Sequence, residues 1–352
     1  MLGMSDKKNL LEVLKGHKPD HIPFWFMRQA GRYLPEYREL RAQAGGFLDM
    51  AYNPELASEI TLQPIRRFGM DGAIIFSDIL VIPHALGQSL DFVQGEGPKL
   101  NALRTAEDFK SLNFSNFERV LAPVYEALGQ TRAKLDQEGF RSTTLIGFCG
   151  APWTVASYMV EGGSSRDFIQ VKSLAYREPE LFTMLLDVLV EASAAYLINQ
   201  VKAGAEVLQI FDSWSGVLDA QSFRRYVIDP TRKIVELVRD SYPDIPIIGF
   251  PKGAGRNYLN YVQDTGVSAI QIDPSVDTAW ASRSLQSLVP VQGNLDPICL
   301  LAGGDNLVLT AEKIISDLKN GHFVFNLGHG INKDTPVEHV EMLVDMIRGY
   351  KL

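Results

Sequence analysis

The sequence predicts a single (β/α)8 TIM barrel, and two patterns plus one placement predict it. Eight short runs of β-branched and aromatic residues recur between helical patterns. They are too continuously apolar for half-solvated antiparallel strands, and the segments between them are long enough for crossover helices. A residue able to do chemistry also stands at or just past the C-terminal end of almost every run, and a barrel gathers those ends at one mouth. The expected organisation is one catalytic domain over residues 1–352, with residues 1–10 a flexible N-terminal segment.

In chain order the strands are expected at residues 22–26, 72–76, 143–148, 206–211, 245–250, 269–272, 289–292 and 322–326. Arg28 follows the first and Ser77-Asp78 the second; Cys149-Gly150 follow the third and Asp212-Ser213 the fourth. Pro251-Lys252-Gly253, Asp273-Pro274, Gly293-Asn294-Leu295-Asp296 and Gly328-His329-Gly330 follow the remaining four. The loops after the first three strands are long, which predicts a deep pocket roofed from one side and suited to a bulky ligand. Residues 79–100 are expected to include a small hairpin.

Two helices carry clear punctuation. Pro179 opens one, Leu181, Leu185, Val188, Ala192 and Tyr196 recur at three and four, and Gly204 lies just past its end. In the last helix Thr335 is expected as N-cap with Pro336 at N1 and Glu338 completing a capping box, ahead of the stripe Val340, Val344, Ile347.

Composition narrows the function. With 34 Lys+Arg against 42 Asp+Glu and a formal charge of -8, a general nucleic-acid or membrane-surface binder is excluded and any anion site must be local. Two distant cysteines, a polar start and no apolar run of spanning length point to a reducing cytoplasm and no membrane. The local anion site is expected around Gly31, where Arg28 and Arg32 offer two planar guanidinium forks four residues apart, with Arg38 beyond. Asp78 suits a central acceptor for several N–H donors, or equally the N-cap of the next helix. His329, flanked by glycines that admit close approach, reads as a ligand-facing group or as a turn histidine.

Six motifs in order carry a resemblance: PFWFMRQAGRYLPEYR at 23–38, FSDIL at 76–80, GFCGAPWTVASYMVEG at 147–162, IFDSWSG at 210–216, GNLDP at 293–297 and FNLGHGI at 325–331. On these the chain resembles the uroporphyrinogen decarboxylase family of tetrapyrrole synthesis. The resemblance implies a (β/α)8 barrel, a homodimer, and no cofactor or metal. It implies conversion of the four acetates of uroporphyrinogen, isomer III preferred, to methyls, giving coproporphyrinogen and carbon dioxide. It further implies that Arg28, Arg32, Asp78, Tyr158, Ser213 and His329 line the pocket, with Asp78, Arg28 and His329 catalytic.

A zinc-dependent methyltransferase of the same superfamily is the rival, and it needs thiol and imidazole ligands near the last strands. Here the seventh strand ends in Gln292-Gly293-Asn294-Leu295, and Cys299 falls in the following helix. A porphyrin carrier is the non-enzyme alternative. It needs the arginines but has no use for a buried carboxylate beside a proton donor.

Overall fold

The structure is a computed structural model that describes residues 6–93 and 95–350. Among the described residues nine strands form: β1 Gly72–Ile74, β2 Leu90–Val93, β3 Gly97–Leu100, β4 Thr144–Gly150, β5 Val207–Asp212, β6 Ile247–Pro251, β7 Ala269–Gln271, β8 Val291–Leu295 and β9 Phe323–Leu327. Seven of them make one curled parallel sheet in the order β1-β4-β5-β6-β7-β8-β9, and β2 pairs with β3 as an antiparallel hairpin. Sequential neighbours joined by helices are what right-handed βα units produce.

The first expected strand is not a strand but a tether. Residues around Phe24 make an isolated parallel bridge to Phe325 on β9. Phe325 N donates to Pro23 O at 2.9 Å and Trp25 N to Phe325 O at 3.3 Å. On the other side Asp71 N, just before β1, donates to Phe24 O at 2.9 Å. This extended segment therefore occupies the gap between the two edge strands and takes up their backbone groups, which would otherwise remain open edges.

The sheet carries a buried amide layer. Gln209, Gln271 and Gln292 are wholly buried. Gln209 donates to Gln271, Gln292 to both, and Trp25 Nε1 to Gln292 Oε1 at 2.9 Å, while Gln271 Nε2 reaches Leu327 O at 3.0 Å. A buried polar layer is tolerated because its amides find partners across strands.

Outside the sheet, the helix Pro179–Lys202 buries Phe182, Leu185, Leu186, Leu189, Ala192 and Tyr196 against its neighbours, and Gly204 follows it as expected. Among the described residues it is the one helix long and apolar enough to cross a membrane, contrary to the expectation that no such run exists; just over half of that apolar stretch, 56%, is buried in the fold. The last helix corrects another expectation. It spans Val337–Gly349 and starts one residue late, because Pro336 is extended. No side chain caps it, and the Thr335 hydroxyl is buried without a partner, so the expected capping box does not form. The stripe Val340, Val344 and Ile347 is buried as predicted. At the other end, residues 1–5 of the expected flexible segment lie outside the described residues, while Asn9 and Leu10 already belong to the helix Asn9–Leu14 and are buried.

The three long loops fold into a roof. The first holds the helices Pro35–Gln43 and Phe47–Ala51, the second the helix Val81–Ala85 and the β2–β3 hairpin, and the third the helix Pro152–Glu161. Leu100 N donates to Gly162 O at 3.1 Å and Leu103 N to Met159 O at 2.9 Å, which joins the second roof segment to the third.

Candidate active site

The chain leaves the tether through a turn in which Arg28 takes a left-handed backbone conformation, φ 61°, uncommon for a residue with a side chain. Gln29, wholly buried, holds that turn from inside: its Oε1 accepts from Phe26 N at 3.1 Å and its Nε2 donates to Gly72 O at 2.9 Å. The same turn is tied to β9 and to the loop after it, with Met27 N donating to Asn326 Oδ1 at 3.0 Å and Ile331 N to Met27 O at 2.9 Å. Arg28 then lies across Gly330. A Cβ at Gly330 would come within 2.3 Å of Arg28 Cδ, so the glycine after His329 makes room for the arginine stem.

Asp78 sits beyond the end of β1. Its Oδ1 accepts from Leu80 N at 2.8 Å, a local turn bond rather than a helix cap, because the helix Val81–Ala85 has no side-chain cap. Its other oxygen accepts no hydrogen bond among the described residues. Beside it, Leu80, Leu90 and Leu100 form a small apolar cluster against which Tyr158 packs. Burial is the dominant influence on the Asp78 carboxyl and raises its pKa to about 6, opposed by the Leu80 amide and by the charge of Arg28.

Tyr158 projects from the helix Pro152–Glu161 and stacks on Trp214, ring centres 4.1 Å apart. Burial and the charge of Asp78 both raise its phenol pKa. The loop carrying Trp214 and Ser213 is stitched to that helix, with Thr154 Oγ1 donating to Asp212 Oδ1, Trp214 N donating to Thr154 Oγ1 at 3.2 Å, and Trp153 Nε1 donating to Trp214 O at 3.0 Å. The Ser213 hydroxyl itself makes no hydrogen bond among the described residues and is half-buried.

His329, half-buried after β9, has a buried Nδ1 with no hydrogen-bond partner. Burial, then the charges of Lys252 and Arg28, push its pKa down to about 3, with Asp273 opposing. The charge of Arg28 bears on Asp78, Tyr158 and His329 alike, and its stem lies across the glycine next to His329. Arg32 is exposed and its charge falls on Tyr37, not on Asp78. Lys252, noted from sequence at the end of the fifth expected strand, was not among the residues expected to line the pocket. Among the described residues no three His, Cys, Asp or Glu side chains gather as a metal set. Two cavities of about 610 and 490 Å³ lie elsewhere, beside Tyr52 and His84 and beside Lys18 and His322.

The chain is similar to known proteins over nearly its whole length. The family described as "Uroporphyrinogen decarboxylase (URO-D)" matches residues 5–350. A uroporphyrinogen decarboxylase of Mesorhizobium japonicum is 53% identical over 346 residues, covering 98% of this chain and 99% of that protein. One of Erythrobacter litoralis is 50% identical over 342 residues, covering 97% and 98%. Among solved structures, a methyltransferase from Methanosarcina mazei superposes with a TM-score of 0.81 at 22% identity, covering 98% of each chain, which is likeness of fold.

Proposed function

The chain belongs to the uroporphyrinogen decarboxylase family, and from that premise we propose how the barrel mouth removes the acetate carboxylates of uroporphyrinogen. The activity is decarboxylation of uroporphyrinogen in tetrapyrrole biosynthesis. Each step exchanges a carboxylate for a proton: the acetate loses carbon dioxide and the exocyclic carbon gains hydrogen, one proton being consumed per methyl formed. The bond that breaks needs an electron sink. A pyrrole protonated on a ring carbon is one, since the electron pair left by carbon dioxide neutralises the ring cation; the exocyclic methylene is then protonated and the ring carbon releases its proton, which restores the pyrrole and leaves a net uptake of one proton.

Asp78 is the carboxylate we assign to the pyrrole N–H donors. Burial raises its pKa to about 6, so at neutral pH it is mostly ionised yet short of hydrogen bonds. Several N–H donors converging on its free oxygen supply them, and its charge offsets the ring cation. Arg28, held across Gly330 by the strained turn, is the leading proton donor, with His329 as partner. Tyr158 and Ser213 hold a carboxylate in register, and Arg32 meets an outer one.

The observation that carries this reading is a carboxylate at the mouth, Asp78, with one oxygen that accepts no hydrogen bond among the described residues, together with an arginine whose stem lies across the glycine beside His329. Incubation with uroporphyrinogen under reducing, anaerobic conditions tests it, with the carboxylates on the product counted after oxidation. Four-carboxylate product is expected; unchanged eight-carboxylate material overturns it and favours a carrier. As part of the same reading the enzyme is a single catalytic domain, a cytoplasmic homodimer working without membrane or nucleic acid. A monomer mass in sedimentation would overturn the dimer.

A further inference from the structure

Lys252 has a fixed backbone and a free charge. It follows β6, where its N donates to Asp212 O at 3.0 Å and its O accepts from Gly216 N at 3.1 Å and Ser215 Oγ at 2.9 Å. The next residue is pinned as well, Gly253 N donating to Asp273 Oδ2 at 2.7 Å. The approach of the two loops is close enough that a Cβ at Gly216 would lie 2.6 Å from Gly253 O. The half-buried Lys252 side chain forms no salt bridge among the described residues, although many lysines and arginines of this acidic chain are paired. Its charge falls on His329, whose Nδ1 is buried and unpartnered.

The segments around His329 touch: Gly253 N, next to Lys252, donates to Asp273, a Cβ at Gly328 would lie 2.4 Å from Pro274 Cδ, and one at Gly330 would lie 2.3 Å from Arg28 Cδ. Lys252 after β6, Asp273 after β7 and Arg28 from the first turn are thus the charged groups that bear on His329. Asp273 is already engaged, accepting from Gly253 N, Tyr258 OH, Ser275 N and Ser275 Oγ, which leaves it little capacity to neutralise two more cations. An unsatisfied imidazole nitrogen beside an unpaired ammonium is an arrangement completed by an anion, for which both can be donors.

We propose that Lys252 and His329 together form a carboxylate subsite, in which Lys252 anchors one carboxylate arm of the substrate and that arm brings a proton onto His329. The proposal rests on the reading of the mouth as a uroporphyrinogen site. Binding draws a proton because the incoming negative charge opposes the burial and the neighbouring cations that keep the imidazole neutral. Lys252 therefore positions substrate and sets the protonation state of its partner.

The test uses the full-length enzyme with uroporphyrinogen as substrate and coproporphyrinogen as product inhibitor. Lys252→Met is expected to raise KM about tenfold, the loss of one charge-assisted anchor, with kcat changed less than about threefold. Lys252→Arg should recover most of the affinity. In the substrate-free enzyme the His329 ring titration, followed by NMR, should move up in Lys252→Met and stay in place in Lys252→Arg. Lys252→Gln is measured in parallel, so that a poorly folding Met variant does not decide the matter. A wild-type KM in either neutral variant, or an unmoved His329 titration, overturns the subsite. Inactive wild-type enzyme instead overturns the uroporphyrinogen reading itself. If coproporphyrinogen inhibition weakens in step with KM, the arm held is a propionate; if only KM changes, it is an acetate.

Discussion

Two histidines at opposite ends of the barrel show how the molecule divides its work. At the floor, His21 Nε2 meets Asp71 Oδ1 at 2.8 Å and its Nδ1 meets Asn9 Nδ2 at 3.2 Å, while Asp71 Oδ2 accepts from Phe24 N at 3.0 Å. The hydrogen bond to Asp71 raises the His21 pKa, partly opposed by burial. At the mouth, His329 has a buried nitrogen with no partner, and burial and neighbouring cations lower its pKa to about 3. A closed network fastens the tether to β1; an open one waits for a ligand. Polar chemistry in a barrel therefore tells its purpose by whether its partners are already present.

Asp78 gives the largest expected effect and the sharpest break in that contrast. Asp78→Asn should lower turnover by at least about a thousandfold, as loss of a preorganised charge partner does. It should also stabilise the protein. The folded pKa of about 6 exceeds the unfolded value, so the ionised carboxylate works against folding at neutral pH, and that penalty fades as pH falls from above 6 through the unfolded pKa. Calorimetry at pH 8 should show the midpoint up by about 2 °C, with a smaller gain near pH 4. A destabilised Asp78→Asn at pH 8 would place Asp78 with the floor network.

Next is the pair of arginines from one motif. Arg28→Ala should lower kcat/KM about a hundredfold, since Arg28 acts on three mouth residues. Arg38 donates to the carbonyls of Arg32 and Tyr33 at 3.0 and 3.1 Å, so Arg38→Ala should cost no more than about threefold. Equal losses would reduce Arg28 to general electrostatics.

The reverse profile is expected at the floor. Asp71→Ala leaves Phe24 N and His21 Nε2 unpartnered and should destabilise by about 2–3 kcal/mol in urea unfolding, with kcat of the folded enzyme unchanged. A large drop in kcat with unchanged stability would erase the division between the two ends.

Much of this was legible from sequence because it depends on period and punctuation. Seven of the eight expected strands exist within a few residues, since continuous apolar runs between crossover helices leave few alternatives. The first run reads as strand-like too, but Pro23 and the turn at Arg28 leave it only a bridge, and the closure it makes depends on Asp71 and Phe325, far away in sequence. The Thr335 cap failed because Pro336, compatible with a first helical turn, is equally at home in the extended form that it adopts. Strand-end placement marked the mouth residues, yet could not rank them. Arg28 and Arg32 look equivalent in the motif, and only the tie to Asn326 and the space over Gly330 separate their positions. Lys252 was marked by its strand-end place but given no role in the pocket, because an unpaired charge is a property of surroundings, not of sequence.

The smallest effect sharpens the floor side of the comparison. The His21 pKa is raised on folding, so its charged pair with Asp71 contributes stability that is fully present below the unfolded histidine pKa and lost as pH rises through the folded one. The imidazole is 42% exposed, so solvent screens the pair and the contribution should stay below about 1 kcal/mol. His21→Gln should therefore shift the urea midpoint down at pH 5.5 and by less at pH 9, where the wild-type ring is neutral and only its hydrogen bonds remain. The same shift at both pH values would mean that His21 holds Asp71 as a neutral donor, with the floor secured by geometry and not by charge.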